Sequence, residues 1–283
     1  MVGVMAERWI RVERHNKLRH ESAPSYLVSR VHCHTYLAKE KDHMMVAQGL
    51  QEALNIYFEA KRLMYRTVTE FVVVETGPLK CFHKHPGWPD IDAFYAVDVE
   101  PSEAIAAIAT YVPHPQHMLT VFMRSPRERG TAYEALGYRS LPDAQPFMRL
   151  ELSVPKVTHA SCVVHVETPE QVDFINGPGN YMNAVHLNDD VFRYYCLEQD
   201  GLAVCRARIV TTTQQAIYVA GIDTLPAYRR RGLASTLMQQ VHRDALAAGA
   251  RWSVLCSSPP GLGLYQALGY TTLATMQAFV PVV

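Results

Sequence analysis

The sequence predicts an α+β protein made of two domains that share one fold. Three observations point there. The 283-residue length is about two domains at roughly 150 residues each. From about Pro155 onward, helical and strand-like hydrophobic patterns follow the order strand, helix, three strands, helix, strand, helix, strand. YEALGY at 133–138 and YQALGY at 265–270 agree at five of six positions, 132 residues apart, which marks an internal duplication.

In the first half, apolar side chains at Val46, Leu50, Ala53, Leu54, Tyr57, Phe58 and Met64 recur every three or four residues and predict a long helix over Met44 to Met64. FVVVE at 71–75 reads as a strand. Two prolines and a glycine in LKCFHKHPGWPD predict a loop from Leu79 to Asp90. FYAVDV (94–99) is strand-like, SEAIAAIA a short helix and HMLTVFM another strand.

In the second half, Cys162 to Val166 predicts a strand, and TPEQVDFI opens a helix with Thr168 as N-cap and Pro169 at its first position. Asp200 and Gly201 between RYYCLEQ and LAVCRARIV form the dipeptide that a type I′ hairpin favours. AIYVAGID (216–223) is the next strand. Leu233, Leu237, Val241 and Leu246 then share one helix face, and Gly249 stops that helix. WSVLCS, LGLYQAL with Gly269 behind it, and a final strand near Phe279 complete the order.

Composition excludes several function classes. Lys+Arg and Asp+Glu both number 27, so no global field draws nucleic acid or an anionic membrane. No apolar run approaches the roughly 20 residues a membrane span needs, and MVGVMAERWIRVERH lacks a signal-peptide core. The expectation is a cytoplasmic protein. The six cysteines form no CxxC pair and read as reduced, mostly buried thiols. His32, Cys33, His34, then Cys81, His83, His85, then His114 and His117 carry zinc-ligand chemistry, but no spacing matches a finger or catalytic zinc signature, so no metal site is assigned and a zinc-dependent protein stays open as the minor alternative.

The repeat extends backward, with VDVEP (97–101) matching IDTLP (222–226) in register. The offset there is 125, so the second copy holds seven more residues between the landmarks, in the segment containing AYRRRGL. A strand that enters a tight glycine turn and then a helix leaves the first helical N–H groups unpaired, and the helix dipole adds positive potential. Such a turn seats an anion, phosphate above all. Gly232 lets backbone approach without a side chain, Ala234 keeps the next turn small, and Arg229, Arg230 and Arg231 add charge.

Arg229, Gly232 and Ala234 fit the pattern Q/R-x-x-G-x-G/A. With the strand before it and LYQALGY about 30 residues after it, the region from about 158 to 283 resembles the GNAT superfamily of acyl-CoA N-acyltransferases. The resemblance implies two GNAT-like domains, each with a mixed, mostly antiparallel sheet flanked by helices: residues 156–283 catalytic, residues 1–155 a helical N-terminus plus a degenerate copy. It implies that Arg229, Arg230, Arg231, Gly232, Leu233, Ala234 and Ser235 hold the diphosphate of acetyl-CoA or another acyl-CoA, the co-substrate. Ile222 and Thr224 would pair their backbones with the pantetheine arm, in a gap where the strand splays from WSVLCS. Tyr265 stands where many members place the tyrosine that protonates the departing thiolate, and Ser258 where many carry a cofactor-contacting asparagine.

The implied reaction moves an acyl group to a primary amine on a small molecule or peptide by direct attack in a ternary complex. Because an alkylamine with a pKa of about 10 is charged at neutral pH, a base is needed. Asp223 is the one carboxylate on that strand, but Asp98 repeats it in the copy without the loop, which favours a structural role. Cys256 reads as an inert buried thiol. The alternative function is a non-catalytic acyl-CoA-binding or sensing module. The acceptor's identity, the acyl chain preference and the oligomeric state are left open.

Overall fold

The computed structural model describes residues 48–66, 73–76, 79–82, 92–111, 117–124, 126–142, 144–153, 163–176 and 182–282. Residues 1–47 of the predicted helical N-terminus, and His32, Cys33, His34, His83, His85 and His114, lie outside them. In chain order the elements are α1 (residues 48–65), β1 (Val73–Thr76), β2 (Leu79–Phe82), β3 (Asp92–Val97), α2 (Pro101–Tyr111), β4 (His117–Met123), α3 (Pro126–Ala135), β5 (Tyr138–Ser140) and β6 (Gln145–Glu151). There follow β7 (Val163–His165), α4 (Pro169–Asn176), β8 (Phe192–Gln199), β9 (Leu202–Thr212), β10 (Ala216–Thr224), α5 (Leu233–Ala247), β11 (Trp252–Cys256), α6 (Leu262–Ala267) and β12 (Thr271–Pro281).

The local signals act as expected at several ends. Thr168 Oγ1 accepts from the Gln171 N–H at 3.3 Å while Gln171 Oε1 accepts from the Thr168 N–H at 3.1 Å, a reciprocal capping box. Asp200 (φ 53) and Gly201 (φ 71) both take the left-handed conformation that a type I′ turn needs. One expectation fails: Leu79–Phe82, predicted as the start of a loop, is a strand paired with β1 on one side and β3 on the other. Pairing on both edges outweighs the proline-rich context beyond it.

A mixed sheet runs in the order β1-β2-β3-β4-β12-β6-β11-β10-β9-β8-β7, with β5 beside β12. The pairs β3/β4 and β10/β11 are parallel and the others antiparallel. Strand β12, from the end of the chain, sits between β4 and β6, so the sheet continues across the predicted boundary near residue 155. Residues 48–283 gather into one compact unit.

The sheet curls around α1. Tyr57 on that helix meets the rings of Tyr95 (6.2 Å), Phe122 (5.3 Å), Phe147 (5.8 Å) and Tyr218 (5.5 Å), from β3, β4, β6 and β10. A flat sheet would set β3 and β10 about 24 Å apart at roughly 4.8 Å per strand, and side chains standing upright on it could not reach one ring. Helices α1 and α4 therefore cover the concave face, where Tyr57, Tyr218 and Val254 are buried together. The outer face carries α2 and α3 over β3 and β4, and α5 and α6 over β9, β10 and β11.

Candidate functional site

The candidate site begins where β10 and β11 part. Their parallel rungs run from Ala216↔Trp252 to Val219↔Leu255 and stop. Ala220 is an extra residue there, a bulge in the pairing of β10 with β9, after which β10 continues along β9 to Thr224↔Cys205. A bulge bends and twists its strand, so residues 220–224 turn away from β11 while still tied to β9. The signal lay in the sequence, since an isolated glycine in a strand, here Gly221, marks a bulge.

The first half provides an internal contrast. There β3 and β4 pair without a break from Asp92↔His117 to Val97↔Phe122, and the Asp98 N–H bonds the Phe122 carbonyl at 3.0 Å. Arg124 closes that end with an ion pair to the Asp98 carboxylate, its Nε 2.8 Å away. Helix α2 starts at Pro101, with no glycine turn before it. One pair of parallel strands is zipped to its end, and the other is open.

Beyond Thr224 the chain makes a short 3-10 turn at Pro226–Tyr228 and reaches α5 through Gly232, whose φ of 78 places it in the left-handed region. A Cβ built on Gly232 meets nothing within 4 Å, so the mouth of the helix faces open space. Among the described residues the N–H groups of Leu233, Ala234 and Ser235 have no hydrogen-bond partner; the first bond of α5 runs from the Thr236 N–H to the Gly232 carbonyl at 3.0 Å. The three arginines are exposed but not equivalent. Arg229 Nε donates to the Thr224 carbonyl at 2.9 Å, bracing the turn against the end of β10. Arg231 donates to the Ala227 carbonyl at 2.9 Å and lies over the Tyr228 ring. Arg230, held at φ 60, is exposed and makes no side-chain hydrogen bond or ion pair among the described residues.

Tyr265 of α6 lies on the outer face with Ile222, and in register Thr224 and Cys205 share that face. Thr224 Oγ1 is 3.2 Å from Cys205 Sγ. Burial first, and the nearby Cys205 thiol second, push the Tyr265 phenol up to about 12, so it holds its proton at neutral pH. Ser258 is exposed at the end of β11, one residue past the fully buried Ser257. Gly261, which the sequence reading passed over, lets these pieces close together: a Cβ there would lie 3.1 Å from Tyr265 Cε2, 3.3 Å from Ser257 Oγ and 3.4 Å from Ser258 Oγ.

The remaining candidates take structural places. Asp223 points to the concave face and pairs with Arg206 at 3.1 Å, whose other nitrogen donates to the Ile175 carbonyl at 2.8 Å. Burial pushes the Cys256 thiol up to about 11, which leaves almost no thiolate at neutral pH. Cys81 is buried in β2, and His117 is buried with Nε2 2.7 Å from the Tyr138 hydroxyl. No cluster of three metal-ligating side chains occurs among the described residues. No helix there is long and apolar enough to cross a membrane. A cleft of about 270 Å³ opens at the opposite end of α5, beside Thr211, Gln215, Ala245 and Ala248, away from the arginine turn.

Residues 190–272 match the family model described as an acetyltransferase (GNAT) domain. No curated protein matches the sequence. Among solved structures, a GCN5-related N-acetyltransferase from Kribbella flavida superposes with a TM-score of 0.54 at 18% identity, over 78% of this chain and 93% of that one. A functionally unknown conserved protein from Staphylococcus epidermidis superposes with a TM-score of 0.50 at 9% identity, over 76% of this chain and 96% of that one. A putative acetyltransferase of the GNAT family from Novosphingobium aromaticivorans gives 0.46 at 21% identity, over 75% and 92%. The likeness to the first of these is one of fold.

Proposed function

We propose that this protein is an acyl-CoA-dependent N-acyltransferase whose working site lies in residues 156–283. The observation that carries the reading is the coincidence of two openings: parallel strands that part after Val219↔Leu255, and a helix start with unpaired N–H groups at the end of the same strand. A diphosphate would sit on the N–H groups of Leu233, Ala234 and Ser235, with Arg230 supplying the uncommitted charge. The pantetheine arm would lie along β10 beside Ile222 and Thr224, as an added strand.

In this reading the acceptor amine, once deprotonated, adds its lone pair to the thioester carbonyl carbon. The carbonyl oxygen takes up the charge and is held by a main-chain N–H of β10 at Ile222 or its neighbours, where the ladder to β11 has ended. Collapse expels the sulfur as a thiolate and leaves an amide. Full proton transfer from a phenol near 12 to a thiolate near 8.5 is uphill by about 5 kcal/mol. Tyr265 therefore stabilises the developing thiolate chiefly through a hydrogen bond. Asp223 is occupied by Arg206, so the amine's proton leaves through a group other than this carboxylate or through water.

The first half reads as a degenerate copy. The shared motif and the parallel pair β3/β4 support common descent, and the continuous ladder with the Asp98–Arg124 pair explains why no acyl-CoA would enter there. The test is release of CoA from acetyl-CoA across a panel of small primary amines and peptide amines. Amine-dependent release supports transfer. CoA binding without release from any amine would reduce the protein to a binding module.

A further inference from the structure

The helix that starts at the arginine turn runs out of bulk at its other end. Toward the sheet α5 presents Leu237, Met238 and Val241, all buried, and then only Ala245 and, past its last turn, Ala248. Where a leucine would fill the space under the helix end, two methyl groups leave the cleft of about 270 Å³. Its floor is the outer face of the sheet, where Arg193 pairs with Ile209 and Thr211 with Ile217. Most polar groups around it are spent. The Tyr195 hydroxyl donates to Asp244, whose Oδ1 also accepts from Gln240 Nε2 at 2.7 Å. Glu59 of α1 accepts from the Thr213 N–H at 2.7 Å and from Gln214 Nε2 at 2.9 Å. The Asp244, Leu246 and Ala245 carbonyls at the end of α5 accept from the Ala248, Gly249 and Ala250 N–H groups at 2.9, 3.0 and 2.9 Å. Arg193 and Thr211 are left. Both are half-buried cleft residues, and neither side chain has a hydrogen bond or ion pair among the described residues. A guanidinium that has given up part of its water gains most from an anion that replaces it.

We propose that this cleft is a second ligand site, separate from the arginine turn, that takes a small organic monocarboxylate with a compact apolar body. The Arg193 guanidinium receives the carboxylate, because its fork matches two oxygens at once, and the Thr211 hydroxyl adds a further bond. Thr211 is the diagonal neighbour of Arg193 across the β8/β9 ladder, a backbone separation of about 7 to 8 Å that a long side chain spans. The apolar body lies on Ile209, Ile217, Val241 and Ala245. Size follows from volume. The cleft of about 270 Å³ is the share of about nine waters at ~30 Å³ each, so its occupant has about nine non-hydrogen atoms, the size of benzoate. The 15 residues of α5 put about 22 Å between this end and the Gly232 mouth. The occupant therefore touches none of the groups that would handle acyl-CoA, and the inference stands whether or not the chain transfers acyl groups.

Amide chemical-shift titration of the full chain with benzoate and with cyclohexanecarboxylate tests the site, with benzamide as the neutral isostere of the first. Both carboxylates are expected to bind, and benzoate at least tenfold more tightly than benzamide. Arg193→Gln should weaken benzoate at least tenfold and leave benzamide within threefold. Ala248 is exposed, so Ala248→Leu fills the cleft without entering the core and should weaken benzoate and benzamide alike. No shift from either carboxylate at about 10 mM, where a ligand of this size binds even at the low efficiency of drug-sized molecules, would overturn the site. So would benzamide binding as tightly as benzoate. A benzoate that binds at the arginine turn instead would keep its wild-type affinity in Arg193→Gln, which would overturn the assignment as well. None of these outcomes involves CoA, so they leave the transferase reading untouched.

Discussion

Replacing Gly232 separates the two things that residue does. Gly232→Ala keeps the mouth of α5 uncharged and meets no atom within 4 Å, so its penalty is conformational: a side chain held at φ 78 costs about 1 to 2 kcal/mol of stability. Gly232→Asp carries the same strain and adds a carboxylate where the diphosphate would sit. At about 6 Å, two unit charges repel by roughly 0.7 kcal/mol in water and about 3 kcal/mol at an effective dielectric of 20. Against the two charges of a diphosphate the sum is about 1.4 to 6 kcal/mol, or roughly tenfold to ten-thousandfold or more in affinity. Thermal unfolding of both variants should shift together, while CoA titration by calorimetry should separate them: a few-fold loss for alanine, at least tenfold for aspartate. A folded aspartate variant that binds CoA within threefold of wild type would refute the placement of the diphosphate.

Three other perturbations probe the surrounding structure. Tyr265→Phe should lower turnover about 10- to 150-fold, the worth of one hydrogen bond to a charged group, with CoA affinity within a few-fold; a variant with full turnover removes the phenol from the chemistry. Gly261→Ala places a Cβ 3.1 Å from Tyr265 Cε2, so it should displace the ring and lower turnover in parallel with Tyr265→Phe, while a Gly261→Ala enzyme with wild-type turnover would show that this packing is dispensable. The third concerns pH. Burial lowers His242, held 2.9 Å from the Tyr270 hydroxyl, to about 4. A depressed histidine favours the folded state above its unfolded value of about 6.5 and loses that contribution as pH falls. At pH 5 the loss is about 2 kcal/mol, so urea midpoints should drop between pH 7.5 and 5 in the wild type and drop less in His242→Gln. Equal losses in both would assign the acid sensitivity to other groups.

Much of the second half was legible because its signals are local. The order of β7 to β12 and their helices follows from hydrophobic period, the Thr168 cap and the Asp200–Gly201 turn, each of which acts within a few residues. The glycine after three arginines marked the helix mouth for the same reason. What stayed hidden depends on distant partners. Leu79–Phe82 looks like loop beside its prolines and becomes a strand because β1 and β3 flank it. The place of β12 between β4 and β6, and the curl that brings Tyr95 and Tyr218 onto Tyr57, belong to contacts between residues distant in sequence. In the site, the sequence shows three arginines but not that two of them are spent on the Thr224 and Ala227 carbonyls, because that follows from the path of the turn. It shows an aspartate in each half, Asp223 and Asp98, but not its arginine partner, Arg206 for one and Arg124 for the other.

The most direct measurement is a crystal structure with acetyl-CoA bound. The account predicts diphosphate oxygens within hydrogen-bond distance of the Leu233, Ala234 and Ser235 N–H groups, and the thioester between Gly221 and Cys256. Acetyl-CoA lodged elsewhere, or those three amides engaged by protein instead, would contradict it.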